Sequence, residues 1–221
     1  MTDPPAPGHQ DAGGPPATIR IIGQAITSSV ARAPWLWPLL RRPVRRFFDR
    51  LAPGWDTRVG PDSPERRSAL VTALQHLDAP PARVLDLGTG TGSAALFLAE
   101  HYPTAEVVGV DISEPMIEAA RAKVGPDLRS CLRFEVGDAA ALPYEAASFD
   151  LVVQINVPVF FDTVARLLGS GGHAIVISSF GAATPFYTPI ATLRRGFERR
   201  GIREVAHGPA GTGEFFIAGL R

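Results

Sequence analysis

From residue 83 onward the hydrophobic positions alternate between two periods. Arg83–Leu87 is a short apolar run that stops at a glycine, the mark of a buried strand. Ser93–His101 then places Ala94, Ala95, Leu96, Leu98 and Ala99 at helical spacing. The same alternation predicts strands at Glu106–Val110, Leu132–Val136, Phe149–Gln154, His173–Ser178, Ile202–Ala206 and Glu214–Leu220. It predicts helices at Glu114–Val124, Val159–Leu168 and Thr188–Arg200. Strands alternating with helical stretches of about ten residues mean βαβ units around a parallel sheet.

The first 80 residues read differently. Residues 1–17 are dominated by Pro and Gly and bury too little apolar surface to offset the entropy of ordering, so they are expected to be a disordered tail. Residues 18–80 are expected to form a helical cap. Ile19, Ile21, Ile22, Ala25, Ile26 and Val30 suggest its first helix. Trp35 and Trp37 follow, then Arg41, Arg42, Arg45, Arg46 and Arg50 around Phe47 and Phe48. This basic, amphipathic stretch has two readings: a patch for a membrane surface or an anionic substrate, or a lid whose aromatics pack inward while its arginines stay solvated. Pro38 and Pro43 interrupt any long membrane helix and favour the lid. Residues 53–62 are rich in turn formers. A helix then starts with Ser63 as N-cap and Pro64 as first residue, with Arg66 or Arg67 outward and Ala69, Leu70, Ala73, Leu74 and Leu77 inward.

Composition narrows the class. The chain has 221 residues, 45% hydrophobic and 20% charged, enough for one sizeable core. Basic and acidic residues balance at 22 each, which gives no overall pull toward nucleic acid or an anionic membrane. Cys131 is the one cysteine, so no intrachain disulfide forms. No basic residue precedes Arg20 and no run of about 20 apolar residues occurs, so neither a signal peptide nor a membrane span is expected, and the expected location is the cytoplasm. Scattered histidines and the absence of H-E-x-x-H point to no metal site.

The most informative segment joins the first strand to its helix: Val84-Leu85-Asp86-Leu87-Gly88-Thr89-Gly90-Thr91-Gly92. Glycine there lets the chain turn sharply and lets a ligand approach the backbone. A dinucleotide fingerprint, G-x-G-x-x-G, would need a glycine at position 93, where Ser93 stands. The pattern D-x-G-x-G-x-G resembles instead motif I of the class I S-adenosylmethionine-dependent methyltransferases. That resemblance implies that Asp86, Gly88, Thr89, Gly90 and Gly92 surround the amino-acid end of S-adenosylmethionine, with Asp86 holding its ammonium group.

Two further strand ends carry the likeness. Val110-Asp111-Ile112-Ser113-Glu114-Pro115-Met116 resembles the family's acidic second strand end. Asp111 would then take the ribose hydroxyls, with Ile112 and Met116 flanking the adenine. The plain structural alternative, Asp111 and Ser113 as helix caps, is compatible with it. Gly137-Asp138-Ala139 resembles the next landmark, where Asp138 would accept the adenine amino group and the Ala139 N–H would reach a ring nitrogen. Gln154-Ile155-Asn156-Val157-Pro158 occupies the segment that borders the transferred methyl in the family, which brings Gln154 and Asn156 into the cofactor site. Asn-Val-Pro-Val departs from the N/D-P-P-aromatic motif of some nitrogen methyltransferases and puts such chemistry in doubt. Ser170 stands where the family usually has Pro before the fifth strand.

No catalytic residue is assigned. His101, His173 and His207 are candidate bases by type only, and Asp56, beside Trp55, is better placed. The aromatics of Ser178–Tyr187 are candidates either for an apolar substrate pocket or for loop packing. The resemblance implies a Rossmann-like, doubly wound α/β fold: seven mostly parallel strands, an antiparallel last strand inserted beside the fifth, and residues 81–221 as the cofactor-binding domain. The function expected is methyl transfer to a small-molecule acceptor, with no nucleic-acid partner and no stable membrane insertion. The rivals are a cofactor-binding regulator without activity, a nicotinamide oxidoreductase, and an aminopropyltransferase.

Overall fold

The computed structural model of the protein describes residues 17–60 and 63–221. The expected tail, apart from Ala17, lies outside the described residues, as do positions 61 and 62 of the turn-rich stretch. One seven-stranded sheet organises the chain in the order β3-β2-β1-β4-β5-β7-β6. The strands are β1 (Arg83–Leu87), β2 (Glu106–Asp111), β3 (Leu132–Val136), β4 (Phe149–Ile155), β5 (Leu168–Ser178), β6 (Ile202–Ala210) and β7 (Gly213–Leu220). The first five run parallel, and β7 inserts antiparallel between β5 and β6. The order reverses between β1 and β4, where loops leave in opposite directions and open a crevice at the strands' carboxyl ends.

Alternate residues of each strand feed opposite layers. Val84 and Val107 join Ala69, Leu70, Leu98, Ile117 and Ile217 in one hydrophobic cluster. Leu85, Leu87, Val108 and Val110 join Val164, Phe197 and Phe216 in the other. The first layer holds α4 (Pro64–Leu74), α5 (Ser93–His101) and α6 (Glu114–Ala122); the second holds α7 (Phe161–Leu167) and α8 (Ile190–Glu198). Ser63 caps α4, accepting from the Arg66 N–H at 3.4 Å, and Pro64 is its first residue.

Several expected bounds shift. The helix before β5 ends at Leu167, and β5 starts five residues early because Leu168 pairs with Phe149. β6 runs on to Ala210 because β7 pairs with it over that length. Residues 55–59, read as turn, form a short helix, α3 (Trp55–Val59), bounded by Gly54 and Gly60 at positive φ. Pro43 does not break the cap: α2 (Trp37–Leu51) runs through it. Pro43 lies on the exposed side, where water can serve the carbonyl that its missing N–H leaves free.

Within the stretch 18–80, the apolar face of α4 belongs to the sheet layer, and Arg66, Arg67 and Leu70 of that helix also reach the crevice. The cover consists of α1 (Ala17–Arg32), α2 and α3. Val30, Trp37 and Val44 form a small cluster of their own with Phe160, against which Phe48, Ile112 and Ala139 pack.

Candidate cofactor and acceptor cleft

The crevice is a cleft of about 400 Å³, in the size range of small-molecule sites. Its floor is made by the β1 and β2 ends. Asp86 is 1% exposed and accepts the Thr89 hydroxyl at 2.6 Å. Burial pushes its carboxyl up to about 6, and the neighbouring Asp111 charge adds to the rise. Asp111 accepts the backbone N–H groups of Gly90 and Ser113, each at 2.9 Å. Burial raises its carboxyl as well, and Asp49 acts in the same direction. The charges acting on both groups are thus other carboxylates. A floor of this kind gains from a cationic ligand and repels a pyrophosphate.

The glycines of the turn divide their tasks. Gly90 (φ +54°) has open space where a side chain would stand, so its backbone is bare toward the cleft. Gly92 (φ +84°) is held by packing: a Cβ there would lie 2.6 Å from the Phe134 ring.

Nine of the twelve residues expected at the cofactor line the cleft: Asp86, Gly88, Thr89, Gly90, Asp111, Ile112, Met116, Ala139 and Asn156. Three do not. Gly92 faces Phe134 as described. Gln154 is buried behind the strand end, its amide nitrogen donating to the Pro158 carbonyl at 3.2 Å. Asp138 serves the cap: it accepts the Trp37 indole N–H at 2.6 Å and the Arg41 guanidinium at 3.0 Å.

Asp138 is one of four attachments, each joining the cap to a different strand-end loop. Asp56 accepts the Thr91 hydroxyl at 2.5 Å and the Lys123 ammonium at 2.8 Å. Burial works against its charge, but those two hydrogen bonds hold its carboxyl below the usual range. It is a fastening of the cap, and its surroundings do not favour the role of base for which it was only the better-placed candidate. Ser113 donates to Asp49. Gln24 donates to the Ala182 carbonyl at 3.0 Å, next to where Gly23 packs on Pro185.

The cap side of the cleft is aromatic. Phe48 meets Trp55 edge-on at 6.0 Å and Phe186 at 5.9 Å, and Phe97 and Phe180 complete the wall. Phe180 and Phe186 are therefore pocket residues, while Tyr187 of the same loop is not. The guanidinium of Arg66 lies 4.5 Å over the Phe180 ring, and that of Arg67 lies 5.0 Å over Phe97. Arg66 or Arg67 was expected to point outward. Yet Arg66 precedes Ala69, Leu70 and Ala73 by three, four and seven residues, and that spacing already places it on the buried face. Burial lowers its pKa, and no carboxylate pairs with it among the described residues. His101 stacks on Phe97, His207 pairs with Glu204 at 2.8 Å, and His173 lies beside Gly219; none of the three lines the cleft. No group of three or more His, Cys, Asp or Glu able to hold a metal occurs among the described residues.

At the end of β4, Asn156 adopts φ +55°. Its side chain clamps the next strand end, donating to the Ser179 hydroxyl at 2.9 Å and accepting the Ser179 N–H at 2.8 Å.

Comparison with known proteins agrees with this geometry. The family profile described as "Methyltransferase domain" matches residues 84–172. The chain is similar to a ubiquinone/menaquinone biosynthesis C-methyltransferase UbiE of Syntrophotalea carbinolica, 32% identical over 165 residues, which cover 71% of this chain and 68% of that one. It is 44% identical over 114 residues to a demethylmenaquinone methyltransferase of Deinococcus radiodurans, covering 49% and 46%. It is 34% identical over 163 residues to a malonyl-[acyl-carrier protein] O-methyltransferase of Methylococcus capsulatus, covering 68% and 58%. The match spans about half the length of the Deinococcus protein and less than two thirds of the Methylococcus one.

Proposed function

The chain belongs to the class I S-adenosylmethionine-dependent methyltransferases, and from that premise we propose that it methylates a small, planar, apolar acceptor that presents an ionised oxygen. The observation that carries this reading is one cleft with two unlike halves: a floor of two carboxyls raised by burial and by other carboxylates, and an aromatic wall with a half-buried guanidinium that has no carboxylate partner among the described residues.

The floor suits S-adenosylmethionine, which carries an ammonium and a sulfonium and no phosphate. Asp86 would hold the ammonium, and the bare backbone of Gly90 would admit the amino-acid end. Asp111 has accepting capacity left for the ribose hydroxyls. Ile112, Met116 and Ala139 would border the adenine, and Asp138 would act only through the cap. When bound, the cofactor would supply an electrophilic methyl to an acceptor oxygen that has already given up its proton, the sulfur keeping the electron pair of the broken bond.

Arg66 would stabilise the acceptor's oxyanion, so that the nucleophile enters already deprotonated and no histidine is required. The aromatic wall would exclude water and fix the acceptor's plane. The named relatives include a demethylmenaquinone methyltransferase and a malonyl-[acyl-carrier protein] O-methyltransferase; a quinone in its reduced, quinol form would carry an ionisable oxygen, and the aromatic wall favours such a ring.

The test is calorimetric titration with S-adenosylmethionine, S-adenosylhomocysteine and NAD, followed by transfer of a labelled methyl group to a panel of naphthoquinols, phenols and carboxylic acids. Binding of both adenosyl ligands and not of NAD, with label on a quinol, is expected. Cofactor binding with no transfer to any acceptor would bring forward the rival reading of a cofactor-binding regulator.

A further inference from the structure

Residues 17–60 contain eight arginines and two aspartates, whereas the whole chain is balanced. Both aspartates turn inward: Asp49 bonds Ser113, and Asp56 bonds Thr91 and Lys123. The outer surface of the cap is left with positive charge only.

On α2 that charge is ordered. Trp37 and Val44 are buried, with Leu40 and Phe48 packed beside them, and this stripe roofs the cleft. The opposite stripe is Leu39, Arg42, Arg46 and Arg50, spaced by three and four residues and exposed throughout. No hydrogen bond or ion pair joins these three arginines to another described residue. Arg41 and Arg45, on the flank, are engaged with Asp138 and with Asp49 and Glu114. At the start of the stripe Trp35 is 74% exposed and Leu39 71%, and on α1 Ile21 is 64% exposed. Large apolar side chains left in water beside unpaired arginines mark an interaction site.

We propose that the outer face of the cap docks on the surface of an anionic phospholipid bilayer. Arginines suit phosphate headgroups, and Trp35 and Leu39 would sit at the boundary between headgroups and acyl chains. An acidic protein would need carboxylates fixed at positions that match the arginines, whereas a bilayer offers mobile phosphates to any spacing and an apolar layer beneath them for Trp35 and Leu39. Docking in this pose would bring the roof of the cleft to the membrane. No helix among the described residues is long and apolar enough to cross a membrane, so the contact is peripheral. The inference does not depend on the identity of the methyl acceptor.

The experiment is co-sedimentation of the full chain with phosphatidylcholine vesicles that contain or lack phosphatidylglycerol, at low and high salt. Binding is expected only with phosphatidylglycerol and should fall at least tenfold at high salt, because surface charge is screened. Arg42→Glu/Arg46→Glu/Arg50→Glu should remove it, and Trp35→Ala/Leu39→Ala should weaken it several-fold. None of these residues lines the cleft, so S-adenosylmethionine titration should be unchanged in both variants, which separates this inference from the cofactor reading and from misfolding. Three results would overturn it: no binding to either vesicle, charge-reversed protein that sediments like wild type, or capture by single-stranded RNA at a salt concentration where the vesicles leave the protein free.

Discussion

Ser113, fully buried at the start of α6, gives its hydroxyl to Asp49 of α2 at 2.7 Å across a sequence distance of 64 residues. Its position is that of a helix cap, yet its side chain makes no capping bond. The hydroxyl ties the roof of the cleft to the β2 end, while the Ser113 N–H serves Asp111. The acidic strand end and the cap are thus joined through one residue.

Asp49→Ala should therefore loosen the cap more than the sheet. It leaves a buried hydroxyl without its acceptor, at a cost of about 1–3 kcal/mol. Hydrogen exchange in α2 should quicken by one to two orders of magnitude, with β1 and β4 unchanged. A double-mutant cycle with Ser113→Ala should give a coupling of about 1 kcal/mol. A coupling near zero would mean that apolar contacts alone hold the cap.

Asp86 makes cofactor binding depend on pH. Its carboxyl is pushed up to about 6 from an ordinary 3.8, so the folded protein holds that proton longer than the unfolded chain does. Below about pH 4 both states are protonated and the group is neutral to stability. As pH rises from about 4 to 6 the unfolded chain ionises first, and stability falls; above 6 the cost is fully present. A cationic ligand needs the ionised form, so affinity for S-adenosylmethionine should rise about tenfold between pH 5 and 7. Asp86→Asn should flatten both curves. A wild-type affinity that stays level across this range would mean that Asp86 does not meet the cofactor's charge.

Asp111→Ala should weaken S-adenosylmethionine binding by about 1–3 kcal/mol through lost charge-assisted hydrogen bonds. Asp111→Asn keeps one acceptor oxygen and should lose less. Unchanged affinity in calorimetry would remove the ribose contact from Asp111.

The sheet was legible because its signals are local. Each of the first four strands ends at a turn or an acidic residue, and the Gly88–Gly92 turn lies on contiguous residues. What escaped reading depends on long-range pairing. Strand β5 starts at Leu168 only because Phe149 is there to pair with it, and Asp138 is taken by Trp37 from 101 residues away. Gly92 looked like a ligand contact until Phe134 filled the space beside it. Arg66 was left open with Arg67 as the outward residue, although its spacing from Leu70 puts it on the buried face.

Asn156 tests strain at the β4 end. A non-glycine residue at φ +55° is tolerated best when it is asparagine, and here the side chain also spans to Ser179 twice. Asn156→Ala should destabilise the protein by about 2–3 kcal/mol, from the lost clamp and the unfavourable backbone together. Asn156→Gly should recover about 1 kcal/mol of that, because glycine relieves the backbone but not the clamp. Thermal midpoints of the two variants check the order, and equal losses would leave the backbone out of the explanation.

Arg66 is the residue on which acceptor choice should turn. Its charge is half-buried over Phe180 with no carboxylate partner among the described residues, so an anionic ligand oxygen would gain a hydrogen-bonded partner and relieve the guanidinium's lost hydration. A hydroxynaphthoquinone anion should therefore bind more tightly than unsubstituted naphthoquinone, measured by quenching of tryptophan fluorescence in the presence of S-adenosylhomocysteine. Arg66→Leu should weaken the anion about ten- to a hundredfold, leave the neutral quinone within about twofold, and leave cofactor affinity alone. Arg66→Lys should recover part of the loss, since a point charge replaces a planar fork. If anion and neutral quinone weakened together, Arg66 would be shaping the pocket rather than reading its charge. The acceptor oxygen would then have to be met elsewhere along the aromatic wall.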